Sequence, residues 1–332
     1  MLLLAAVSYA STVTEIPTFL RGDVAIRYGW DHTSGRLAER ADPEVVVGNR
    51  ALDTHLLYYS VVFAPGPGIA VYAELPHYVA ENVSYSEAQS MVYDPATESG
   101  TYVGTDPMDP GTYVSGSGLD GVWIGLRATP FSEAFTGRNN RATWRVDLAY
   151  RTGSEKNLWT GGAGDGAPAF RLGSAFSTSV NTTQPYLVGD LTWYTAKDRE
   201  LEAGTVTVDP GNRLDLRTGA EFVAWEQSAS GAAFMVDLHL GFAYQAAGRI
   251  PSGYYLPSVL DDSQETGVQT SEFLEGGGGL SLVWRPMTTL QFKLGGDLRY
   301  GIPRRIESAY PVYTGGDTLH AALGSELTVR IR

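Results

Sequence analysis

Arginine and aspartate alternate along the segment TWRVDLAYR, where Arg145, Asp147 and Arg151 share a parity. Residues two apart project from the same side of an extended chain. A row of charges spaced this way can pair with opposite charges on neighbouring strands, or present a charged wall to hydrated ions. The residues between them, Trp144, Val146, Leu148 and Tyr150, form an unbroken apolar face. One face of this segment therefore suits oil and the other suits charge.

The pattern recurs as RGDV (21–24), RVDL (145–148), VGDL (188–191), RLDL (213–216), MVDL (235–238) and GGDL (295–298). On the charged face, Asp23, Glu74, Asp147, Asp190, Asp237 and Asp297 fall on alternate extended segments. Arg127, Arg171, Arg213, Arg217 and Arg330 fall on the segments between them. Arg21, Arg27, Arg145, Arg151, Lys293 and Arg299 accompany the acids, and Asp215, Glu221, His239, Glu275 and Glu326 share the same parity. Acids and bases on this face are close to balanced, so neighbouring strands about 4.8 Å apart can pair them.

Positioning such a face requires long strands, and the chain supplies them. Leu290, Phe292, Leu294, Leu298 and Tyr300 alternate with Gln291, Lys293, Asp297 and Arg299. Phe234, Val236, Leu238, Leu240, Phe242 and Tyr244 do the same with Asp237, His239 and Gln245 between them. Twelve segments are expected, at 19–31, 54–64, 68–80, 121–129, 142–152, 167–178, 184–196, 212–226, 232–246, 271–285, 288–302 and 317–332. Their length, near ten residues or more, exceeds what a typical soluble strand needs and matches a membrane-crossing strand. The connectors alternate as well. APGPG (64–68), STSVNTTQ (177–184), EQSASG (226–231) and RPMTT (285–289) are short, whereas 31–53, 80–120, 197–211, 246–270 and 301–317 are long.

Together these features resemble the bacterial outer-membrane β-barrel class, porin-like and channel-like, over nearly the whole chain (18–332). The resemblance implies an all-β fold: one antiparallel up-and-down barrel of about twelve strands with both termini in the periplasm. It also implies an integral outer-membrane location, contact with outer-membrane lipid and lipopolysaccharide, and delivery by the barrel assembly machinery. Members usually end in an aromatic residue; this chain ends LTVRIR, with Leu323, Leu327, Val329 and Ile331 keeping the alternation. The charged set above then becomes the expected pore lining, and Trp30, Phe63, Trp144, Tyr150, Trp193, Trp284 and Tyr300 become lipid-facing aromatic girdles at the membrane interfaces.

Composition excludes several alternatives. Charged residues make up 18% of the 332 residues, below the roughly 25% of ordinary soluble domains. The net charge of −13 opposes a nucleic-acid partner, since phosphates need a basic surface. With no cysteine there is no disulfide, thiolate metal site or thiol nucleophile. Residues 1–10 read as a short signal peptide, with an apolar run at Leu2–Val7 and small residues at Ser8 and Ala10. No later stretch approaches the ~18 apolar residues of a membrane helix.

Other chemistry is weaker. The histidines are His32, His55, His77, His239 and His320, and no serine constellation accompanies the outward His77, so no enzyme is expected. The 80–120 connector holds Glu81, Glu87, Asp94, Glu98, Asp106, Asp109 and Asp120 without a base; it reads as a solvated acidic loop that could take up divalent cations weakly, or fold inward and constrict the pore. EGGGGL (275–280) is no phosphate loop, because no Lys-Ser/Thr follows; its glycines read as close backbone approach. No cofactor or metal motif is found. The expected function is passage of small hydrophilic solutes through a mixed-charge lumen. The alternative is a non-conducting barrel at the cell surface, structural or with loops that bind a partner.

Overall fold

A computed structural model describes residues 14, 20–39, 46–86, 91–94, 99–102, 111–131, 142–154, 166–180, 182–201, 204–227, 230–251, 267–302, 306–307 and 313–331. The leader-like residues 1–10 and most of the 80–120 connector's acids lie outside this set.

Twelve antiparallel strands form the wall: β1 (Gly22–Glu39), β2 (Val46–Gly66), β3 (Ile69–Ser86), β4 (Trp123–Phe131), β5 (Ala142–Arg151) and β6 (Ala169–Thr178). β7 (Thr183–Tyr194), β8 (Arg213–Gln227), β9 (Ala232–Gln245), β10 (Phe273–Met287), β11 (Leu290–Gly301) and β12 (Tyr313–Ile331) complete it. Each strand pairs with its chain neighbours, and β1 pairs with β12 from Gly22↔Ile331 upward, which closes the barrel. Closure leaves no free edge and satisfies the ladder hydrogen bonds within the sheet, the condition for crossing a hydrocarbon layer with strands.

The first residue of β1 and the last of β12 lie at the same end as the β2–β3, β6–β7, β8–β9 and β10–β11 connections. Pro67-Gly68 makes the first of these turns; Pro67 presets its φ, and Gly68 takes φ 68°, which a side chain would disfavour.

At the other end the strands run further than alternation alone predicts. β1 continues to Glu39, β2 begins at Val46 and β3 reaches Ser86, so the 31–53 and 80–120 connectors are shorter than expected. Above the apolar band the outer face turns polar (His32, Ser34 and Arg36; Asp53; Asn82 and Ser84), and the period-two contrast that marks a strand fades while its hydrogen bonds persist. The wall is consequently uneven: β2 has 21 residues, whereas β4 has 9. Where β4 has ended, the strand Gly111–Leu119 pairs with the upper part of β3. Ribbons also rise between β7 and β8 (Lys197–Leu201 with Gly204–Val208) and between β9 and β10 (Gly248–Pro251 with Gly267–Thr270).

The distribution of side chains is inverted relative to a soluble protein. Leu126, Leu148, Leu187, Leu238, Leu240, Leu294 and Leu298 stand more than half exposed on the outer wall, while arginines, carboxylates and histidines are buried inside. Strict alternation along β5, β9 and β11 sorts the two sets.

Candidate functional site: the ionic interior

The interior is a lattice of charged and hydroxyl groups to which all twelve strands contribute. In one half, Arg127 donates to Asp147 on the adjacent strand at 2.6 Å, and Arg145 reaches the other oxygen of the same carboxylate at 2.8 Å. Arg171 on β6 donates to Glu74 on β3 at 2.9 Å, passing two intervening strands. Tyr58 on β2 donates its hydroxyl to the same Glu74 oxygen at 2.9 Å. Arg151 pairs with Asp120 at 3.1 Å, and its guanidinium lies between the rings of Trp123 and Tyr194.

The other half runs from β7 round to β1. Tyr186 on β7 donates to Asp237 on β9, and Arg217 on β8 donates to the second oxygen of that carboxylate at 2.9 Å. His239 Nε2 meets Asp297 on β11 at 2.7 Å. Glu275 on β10 receives Arg213 at 3.2 Å and Arg299 at 3.5 Å. His320 on β12 meets Asp31 on β1 at 2.6 Å and comes within 3.7 Å of Glu275. Arg27 on β1 donates to Glu326 on β12 at 2.8 Å.

Arg217 fixes the tautomer of His239. A guanidinium can only donate, and its Nη2 lies 2.7 Å from His239 Nδ1, nearer than the Asp237 oxygen at 3.1 Å. Nδ1 therefore accepts, and the ring proton sits on Nε2, directed at Asp297.

Glycine makes the longer bridges. Many of these contacts join strands two apart, so side chains must lie flat over the strand between them. A Cβ on Gly279 of β10 would stand 2.5 Å from His239 Nε2 and 2.8 Å from Asp297 Oδ1. On Gly219 of β8 it would stand 2.7 Å from the Tyr186 hydroxyl, and on Gly125 of β4 it would collide with the ring of Tyr72. Gly241 on β9 provides the floor for the Arg299 guanidinium. EGGGGL is thus close backbone approach, as its glycines imply, with ionic side chains crossing above them.

Most of the expected lining residues lie in this interior. Glu74, Arg145, Asp147, Arg151, Arg171, Arg213, Arg217, Glu221, Asp237, His239, Glu275, Lys293, Asp297, Arg299 and Glu326 are buried. Asp23, Arg27, Arg127, Asp190 and Asp215 hold inward positions with partial exposure, as does Arg330 near the end of β12. Arg21 departs from the expectation. It precedes β1 and its side chain is exposed, because the first ladder residue is Gly22. Asp120 and Glu81 depart in the opposite direction. Both were expected in a solvated loop, yet Glu81 is 0% and Asp120 1% exposed, because β3 extends upward and Arg151 draws Asp120 inside.

The expected lining omits Asp31, Tyr58, Tyr72, Tyr186 and Ser281. Asp31 stands at the junction of the expected strand 19–31 and its connector, and the others are uncharged. The available signal was their parity, which equals that of the charged residues beside them on each strand.

Outside, the seven aromatics occupy two levels. Phe63, Trp144 and Trp284 lie toward the short-turn end, where Trp284 stacks on Phe292 with centroids 5.4 Å apart. Tyr150, Trp193 and Tyr300 lie toward the opposite end, where Tyr150 meets Phe170 at 5.0 Å. Trp30, on the same outer parity of β1, stacks on His32 at 5.9 Å. Trp144 and Tyr150 are six positions apart on β5, about 20 Å along the strand.

A closed all-β wall, an apolar exterior and an ionic interior decide the architecture. This is an outer-membrane-type β-barrel. The barrel superposes with a TM-score of 0.54 on an outer-membrane channel from Pseudomonas putida F1, at 11% identity over 95% of this chain and 98% of that one. It is similar at lower TM-scores to a Pseudomonas aeruginosa FadL homologue (0.41; 10% identity; 94% and 90% covered) and to the TodX monoaromatic hydrocarbon channel (0.43; 9% identity; 98% and 93% covered). At these identities the likeness is one of fold alone. No protein-family model matches the chain. No curated protein matches it either.

Proposed function

We propose that this barrel is an integral outer-membrane channel for small hydrophilic solutes, held closed at rest by its ion-pair lattice. The observation that carries the reading is the ionic character of the whole interior. Paired charges in a core are no more stabilising than well-packed apolar groups of the same volume, so a purely structural wall gains little from them. A hydrated solute, by contrast, needs polar groups to exchange for its water. The FadL homologue and TodX channel carry no weight here; the Pseudomonas putida channel lends its architecture. The reading makes the aromatic levels the two membrane interfaces, the short-turn end periplasmic and the ribbons external.

Planar-bilayer recording of the refolded barrel tests it. The wild type should give rare, small openings, because its inward charges are almost fully covered. Opening one bridge with Arg171→Ala and Glu74→Ala together should raise the frequency or size of the steps. A silent wild type and a silent double variant would overturn the channel.

The second reading is a non-conducting barrel at the cell surface. It is favoured by the burial of the lattice, in which Asp237 is 0% and Arg145 2% exposed. Silence in both recordings is the result it requires.

A further inference from the structure

Three neighbouring groups in the interior have donors without a hydrogen-bond partner among the described residues. The Lys293 ammonium is 4% exposed and its Nζ has no hydrogen-bond partner among the described residues. Glu326, directly opposite on β12, is occupied by Arg27 and Thr328. Among the described residues Arg217 commits only Nη2, to Asp237 and His239, and its Nε and Nη1 have no hydrogen-bond partner. The Ser281 hydroxyl is 1% exposed and likewise has none.

The register brings these three groups together. Asp237, Ser281 and Gly295 occupy one ladder row on β9, β10 and β11. The guanidinium of Arg217 reaches that row at Asp237. Lys293 is the next inward residue on β11 beside Gly295. Gly295 is the floor between them: a Cβ there would stand 2.4 Å from Ser281 Oγ. Asp237 and Glu221 border the site from β9 and β8, and Asp237 is already spent on Arg217 and Tyr186.

The carboxylates of Glu326, Asp237 and Glu221 lie near enough to attract the Lys293 ammonium, yet none accepts a hydrogen bond from it. A buried ammonium or hydroxyl without an acceptor is strongly unfavourable. An ammonium, a guanidinium and a hydroxyl around a glycine floor together call for an acceptor-rich anion. We propose that Lys293, Arg217 and Ser281 form a binding site for a small oxyanion, the carboxylate or phosphate group of a solute. This names the solute class of the channel reading and rests on that reading for its role in transport. Binding itself does not depend on conduction.

The test is the ³¹P line width of inorganic phosphate titrated with the refolded barrel in micelles. The wild type should broaden the line saturably, and Lys293→Met should weaken the apparent affinity about tenfold or more, the scale of one charge-assisted hydrogen bond. No broadening by wild type, or equal broadening by a folded Lys293→Met, overturns the site. Should that variant not fold, competition on the wild type decides. Reversal by acetate or sulfate but not by chloride at matched ionic strength supports the site, and equal reversal by chloride overturns it. Bilayer recording is independent. Saturable phosphate binding without conductance retains the site and removes the channel; conductance without specific binding does the reverse.

Discussion

His239 on β9 and Asp297 on β11 bond directly at 2.7 Å across β10, the strand that separates them. The contact exists because residue 279, in the ladder row between them, has no side chain. Ionic bridges over glycine are the interior's unit of construction, and the first prediction concerns this one.

Gly279→Ala should destabilise the barrel by about 1–3 kcal/mol, the range for overpacking a filled interior. Its Cβ would stand 2.4 Å from the Gly296 carbonyl as well as against the histidine, so backbone must shift. Gly66→Ala is the control, since nothing lies within 4 Å of a Cβ there. Urea unfolding in micelles followed by tryptophan fluorescence compares the two; equal midpoints would remove the bridging role.

Arg171→Ala alone should be worse for stability than Arg171→Met combined with Glu74→Leu. Removing one partner leaves a buried charge uncompensated at about 3–5 kcal/mol, whereas replacing both removes the desolvation cost with the attraction. A double-mutant cycle in the same unfolding assay measures it, and additive single effects would show that the 2.9 Å contact is not coupled.

Leu240→Arg on the outer face should cost about 2–4 kcal/mol in lipid, if Leu240, 66% exposed, lies near the mid-plane of the bilayer. Ile302→Arg, at the ribbon end of β11, should be nearly neutral, because such costs fall toward zero at the interface. Refolding yield into vesicles reads both. Comparable losses would remove the depth assignment.

The absence of cysteine permits a clean test of orientation. Thr205→Cys lies on a ribbon and Ser230→Cys in a short turn. On intact Gram-negative cells expressing each variant, a membrane-impermeant maleimide should label the first and spare the second. The opposite pattern would invert the barrel.

Sequence by itself determined the strand count, the two faces and the ends where connections are short. The apolar outer face and the ionic interior follow one period of two, which runs through most of the segments between Val24 and Ile331. Sequence also placed Arg145, Asp147, Asp237 and Asp297 on the inner face, because parity is a local property of an extended chain. It could not extend β1–β3 above the apolar band, where the outer face is polar and alternation carries little hydrophobic contrast. Nor could it say which acid meets which base. The pairings join strands two or three apart, Arg171 with Glu74 and His239 with Asp297, and are set by closure and register. Only the folded wall lines Gly279, Gly219 and Gly125 up beneath long side chains, fills the interior with ion pairs, and leaves the Lys293 ammonium without a hydrogen-bond acceptor among the described residues.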